Sequence, residues 1–144
     1  AGSRSMSIKS RPGARLPLHA SGIGKVLLAH GNQELQEAAL KSLDRITEQT
    51  ITSPSELAKQ LEQIKREGFA ATREELALGA ISIAVPVTGN GGKVIAALGV
   101  VIPSKTKDSS HLVPVLKVTA QALGRKLAAA GMADPAGLKA ALRR

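Results

Sequence analysis

The stretch Ser21-Gly22-Ile23-Gly24-Lys25 carries the most chemistry in this 144-residue sequence. Small residues at the start of an apolar helix pattern expose unpaired backbone amides, and the helix dipole favours an anion beside them. Ser21, Gly22 and Ile23 are therefore candidates to hold a carboxylate. The competing reading is that the glycines only let the helix pack closely. A nucleotide phosphate is excluded. A phosphate-binding loop needs a glycine five residues before the second glycine, and Ser or Thr after the lysine. His19 and Val26 stand at those two places.

Other reactive residue types do not assemble into a site. His19, His30 and His111 lack the spacing of metal ligands. Glu74 and Glu75 are adjacent, so on a strand they point apart, and they read as a solvated pair. No serine has a G-x-S-x-G setting. With no cysteine in the chain, thiolate chemistry and disulfides are ruled out. The sequence thus predicts no catalytic set, no metal site and no cofactor, and the chain does not read as an enzyme.

The elements that must position the anion site follow from periodicity. Met6-Ser7-Ile8 alternates like a short strand, and Pro12-Gly13 reads as a turn. A helix is predicted from Ala20 to His30 with Ser21 as its cap, stopped by Gly31-Asn32, where Asn32 caps a second helix. Leu35, Ala39, Leu40 and Leu43 share one face of that helix. Ser53-Pro54-Ser55-Glu56 is a capping box with Pro at the first helical position. Leu57, Leu61 and Ile64 follow at helical spacing, and Gly68 ends the helix. Ala80–Thr88 is rich in strand formers, Gly89-Asn90-Gly91-Gly92 is a hairpin turn, and Val94–Ile102 reads as a central strand covered on both faces. Gly99 inside it suggests close backbone approach or room for a ligand. A long helix is expected from Ser109 to Ala130, with Leu112, Leu116, Leu123 and Leu127 on one face and Pro114 in its first turn. A short final helix would start at Asp134-Pro135. A hairpin among helices argues for an α+β fold, an antiparallel sheet flanked by helices.

Charge narrows the partners. The formal net charge is +9, but residues 26–92 hold nine acidic side chains against six basic, so the positive charge sits at the two ends of the chain. That distribution supports at most non-specific phosphate contact by the ends. Phe69 is the only aromatic residue, so no stacking platform for single-stranded nucleic acid exists. No apolar run approaches the roughly 20 residues of a membrane span, and no secretory leader is visible. A cytoplasmic location fits.

The run Arg11-Pro12-Gly13-Ala14-Arg15-Leu16-Pro17-Leu18-His19-Ala20-Ser21-Gly22-Ile23-Gly24-Lys25-Val26-Leu27-Leu28-Ala29 resembles the effector-domain signature of the isocitrate-lyase-regulator (IclR) family of transcription factors. Gly68 to Gly79, Ile81 to Val87, and Gly92 to Ser104 agree in order and spacing. The resemblance implies a GAF-like domain that senses small organic or aromatic acids and assembles into dimers or tetramers. It also implies that DNA is bound by a separate N-terminal winged helix-turn-helix. Residues 1–144 are then a single effector-binding domain, expected to lack that module and the first effector-domain segment. The implied effector-binding positions are Ser5 and Ile8, Gly22 and Ile23 with their amides on a ligand carboxylate, Thr72, Ser82, Gly99 and Val101.

Thr72 stands where some members carry an acid, and Gly99 and Val101 stand where some carry serines. Losing those partners, each worth about 0.5–1.5 kcal/mol, implies a ligand larger and more apolar than a two- or three-carbon keto acid, still with one acidic group. The alternative function is an assembly module with no functional ligand.

Overall fold

The computed structural model describes residues 13–134. The expected strand at Met6–Ile8, the site residues Ser5 and Ile8, and the final helix after Asp134 lie outside the described residues. Within them the order is α1 (Gly22–Ala29), α2 (Gln33–Leu40), α3 (Pro54–Glu67), β1 (Ala70–Arg73), β2 (Ala80–Thr88), β3 (Val94–Pro103) and α4 (Leu112–Ala129).

Local chemistry sets the helix ends. The Ser21 hydroxyl accepts the Gly24 amide and Asn32 accepts the Leu35 amide, so both cap residues are those the sequence nominates. Ser53 caps α3 through the Glu56 amide, but among the described residues the Glu56 carboxylate makes no return bond, so the capping box is one-way. Gly68 closes α3 in the left-handed conformation at φ 77°. Helix α4 begins at Leu112, after a turn in which the Leu112 amide bonds the Ser109 carbonyl.

The three strands pair antiparallel in the order β1-β2-β3. The expectation that Val94–Ile102 is the central strand is therefore corrected. Among the described residues β2 is central and β3 lies at an edge, with most of β3 half-buried and Val101 43% exposed. An apolar run reports contact on both faces, not the number of paired edges. Pro86 is tolerated in the central strand because β1 stops pairing at Ala84, so that flank of β2 asks for no donor there.

Alternation along β2 sends Ile81, Ile83, Val85 and Val87 against Leu116 and Ala120 of α4, joined by Leu98 and Val100 of β3. Ala84 faces the other way, into a core of Val26, Leu28 and Ala29 from α1 and Leu57, Leu61 and Ile64 from α3. The molecule is thus helices, sheet, helix, with the start of α1 pressed on the sheet.

His30, which closes α1, buries its Nε2 without a hydrogen-bond partner among the described residues. Burial, and then repulsion from Lys65, lowers its pKa below the ordinary 6.5. The unfolded chain therefore takes up that proton first as pH falls, so stability is lost below about 6.5. Urea midpoints measured across pH 5–7 are expected to fall toward the acid side, and His30→Asn is expected to flatten that slope.

Candidate functional site

Two transverse rows of residues define the face of the sheet beneath α1. Register aligns Thr72 with Ser82 and Ser82 with Val101, and it aligns Ala70 with Ala84 and Ala84 with Gly99. Aligned residues in antiparallel strands point to the same face, so Thr72, Ser82 and Val101 form one row, and the second is made of small residues. The first turn of α1 rests on that small row. A β-carbon on Gly22 would lie 2.9 Å from Ser82 Oγ and 3.4 Å from Ala84 Cβ.

The Gly22 amide donates to Ser82 Oγ at 2.9 Å, and Ser82 Oγ lies 2.5 Å from Thr72 Oγ1. This corrects the expectation that the Gly22 amide is open to a ligand. So close an approach to β2 lets the serine satisfy that amide. Ser21 is also engaged: its hydroxyl donates to the Pro17 carbonyl at 3.2 Å and accepts the Gly24 amide at 3.0 Å. Ile23 is different, because among the described residues its amide has no acceptor within the protein.

The hydroxyls leave a second donor. Ser82 Oγ already accepts from Gly22, and the Thr72–Ser82 contact uses one hydroxyl hydrogen. Two hydroxyls carry two hydrogens, so one remains to donate. Around this point the described residues offer donors: the Ile23 amide, that hydroxyl hydrogen and the positive end of α1. Such a set suits an ionised carboxylate, which only accepts.

Gly99 does not open a hollow. A β-carbon there would meet Ile23 Cγ1 at 3.1 Å and Ala84 Cβ at 3.2 Å, so the missing side chain is replaced by Ile23. Ile23 and Val101, 37% and 43% exposed, supply apolar surface beside the hydroxyl row.

The expectation that Glu74 and Glu75 are a solvated pair is also corrected. Glu75 is 6% exposed and Lys25 is 1% exposed, and Lys25 Nζ lies 2.7 Å from Glu75 Oε2. Glu75 follows β1 and turns inward under α1. Glu74, at φ 58°, turns away, and its carboxylate accepts the Gly79 amide at 2.8 Å. The sequence held a signal: Lys25 is the lone charge in an otherwise small and apolar helix, GIGKVLLA, and a buried charge requires a partner. His19 is buried as well, with Nε2 2.8 Å from the Asp44 carbonyl oxygen.

Among the described residues no group of His, Cys, Asp and Glu is arranged to hold a metal ion, and no helix is long and apolar enough to cross a membrane.

Comparison with known proteins matches residues 1–127 to the family described as bacterial transcriptional regulator IclR C-terminal. The chain is 38% identical over 117 residues to the Pca operon regulatory protein of Acinetobacter baylyi, covering 77% of this chain and 42% of that protein. It is similar to the crystal structure of an IclR homolog complexed with 4-hydroxybenzoate from Microbacterium hydrocarbonoxydans. There the TM-score is 0.80 at 35% identity, covering 88% of this chain and 52% of that one. A double mutant of the PobR inducer-binding domain from Acinetobacter, in complex with 3-hydroxybenzoic acid, gives a TM-score of 0.74 at 32% identity. That match covers 85% of this chain and 73% of the other. The chain spans about two-fifths of the length of the curated relatives it matches.

Proposed function

From the premise that this chain belongs to the IclR family of bacterial transcriptional regulators, we propose that it is a single effector-binding domain that senses a small organic acid, aromatic acids foremost. The observation that carries the reading is the donor set at the start of α1. The Ile23 amide, which has no acceptor among the described residues, lies next to Gly22, whose own amide is tied to the Thr72–Ser82 hydroxyl pair. A ligand carboxylate accepts from Ile23 and from the spare hydroxyl hydrogen, while its carbon skeleton lies against Ile23 and Val101. Ser21 and Gly22 shape this turn rather than contact the ligand, and Gly99 serves by admitting Ile23. The resemblance also implies Ser5 and Ile8 as effector contacts.

The two similar structures described above hold 4-hydroxybenzoate and 3-hydroxybenzoic acid, which supports an aromatic acid for this chain. Binding acts by differential affinity: the acid favours whichever assembly it binds more tightly. In the intact regulator that assembly is a dimer or tetramer in the cytoplasm, and DNA is contacted by a winged helix-turn-helix. No catalytic step is involved.

Titration calorimetry with 4-hydroxybenzoate, 3-hydroxybenzoate, pyruvate and glyoxylate tests the reading. At least one aromatic acid is expected to bind more tightly than both keto acids. At 100 times its dissociation constant the best acid should add about 2.7 kcal/mol of stability. Affinity is expected to fall as pH drops toward the ligand carboxyl's own value near 4, because the protonated acid loses acceptor capacity. Tightest binding of pyruvate or glyoxylate would contradict the apolar preference. A second reading, assembly without a functional ligand, draws on Val115 and Val118 of α4, which are 57% and 66% exposed. Self-association with no thermal shift from any acid would favour it.

A further inference from the structure

We propose that Lys25 and Glu75 are positioning residues for this site: they clamp the segment that carries the Ile23 amide to the segment that carries the Thr72 hydroxyl. The inference rests on the effector-binding reading above. Lys25 lies three residues after Gly22, about one helical turn, and Glu75 lies three residues after Thr72. The two segments that meet at the proposed donor set are therefore joined again, one short step beyond it, by a buried ion pair.

The join is directional. Lys25 Nζ donates to Glu75 Oε1 at 2.9 Å, to Glu75 Oε2 at 2.7 Å and to Gln60 Oε1 of α3 at 2.6 Å. Three acceptors use the three hydrogens of an ammonium. Glu75 is in turn held by the Ile51 amide on Oε1 at 3.3 Å and by the Thr50 hydroxyl on its carbonyl at 2.7 Å. Val26, Leu28 and Ala29 press α1 onto the core, and the Gly22–Ser82 hydrogen bond ties its first turn to β2. Hydrogen bonds weaken steeply off their preferred angle and distance, so the ion pair adds a second directional tie, from the next turn of α1 to the segment after β1. A buried ion pair adds little net stability over an apolar pair of similar volume. Its consequence here is geometric.

The test is calorimetry with 4-hydroxybenzoate on the parent chain and on Lys25→Met/Glu75→Leu. The double variant is expected to keep the parent's circular dichroism spectrum and to melt within a few degrees of it. It is expected to bind about tenfold more weakly, the loss of one charge-assisted hydrogen bond out of register. Equal affinity in a folded double variant overturns the proposal. If that variant does not fold, amide exchange in the parent decides. The Ile51 amide touches Glu75 and no proposed ligand contact, and saturating 4-hydroxybenzoate is expected to slow its exchange. Unchanged exchange there, with the Ile23 amide protected, overturns the clamp. A parent that binds none of the acids removes the effector reading itself, a result distinct from tight binding that survives loss of the pair.

Discussion

Lys25→Met alone is expected to cost about 3–5 kcal/mol of folding stability, the usual penalty for stripping one partner from a buried ion pair. The variant leaves Glu75, 6% exposed, with its charge under α1 and, among the described residues, only the Ile51 amide as a partner of its carboxylate. A domain of ordinary stability holds 5–15 kcal/mol, so a large share is lost, and urea unfolding would read it as a lower midpoint at unchanged slope. A loss below about 1 kcal/mol would mean that Glu75 reaches water, against the burial described here. The contrast with Lys25→Met/Glu75→Leu separates the two roles of the pair, because the double variant removes both charges and strands neither.

The same lysine gives an alkaline signature. Burial pushes its pKa below the ordinary 10.5, while the hydrogen bond and charge of Glu75, and then Glu56, pull it partly back. A lowered lysine value means that the unfolded chain holds more protons in the window just under 10.5. Stability contributed by this group therefore rises with pH there and falls as pH is brought down through the folded value. Lys25→Met lacks that slope.

Gly24→Ala is expected to be the most damaging single-methyl change in α1, at about 3 kcal/mol or more, the upper end for overpacking. A β-carbon at this position would lie 2.6 Å from Leu18 Cα and 2.7 Å from its carbonyl carbon, and closer still to its oxygen. These are backbone atoms, so no side chain can swing aside. Relief requires α1 to lift from residues 17–20, and its first turn would then leave Ser82. The variant is thus expected to lose acid binding together with stability, measured by melting temperature and by titration with 4-hydroxybenzoate. A variant that melts like the parent would mean that the segment around Leu18 yields freely.

Much of the frame was legible because its signals are local. Ser21, Asn32 and Ser53 announced their helices through cap chemistry, Gly68 closed one, and the Gly89–Gly92 turn announced the hairpin. Strand β1 had no such announcement. It has four residues, too few for a period to stand out. The helix start was nominated by residue type alone, and the alignment of Thr72, Ser82 and Val101 needed the strand register, which depends on partners far apart in sequence.

What the sequence determined, then, was the family, the α+β class and the helix start capped by Ser21, since each rests on neighbours along the chain. Only the tertiary structure decided which amide stays open. It gave the Gly22 amide to Ser82, 60 residues away, and left that of Ile23 without an acceptor among the described residues. It also turned Glu75 inward to Lys25 across 50 residues. The physical reason is common to both: a hydrogen-bond or ion-pair partner is chosen by distance in space, and no pattern along the chain encodes that distance.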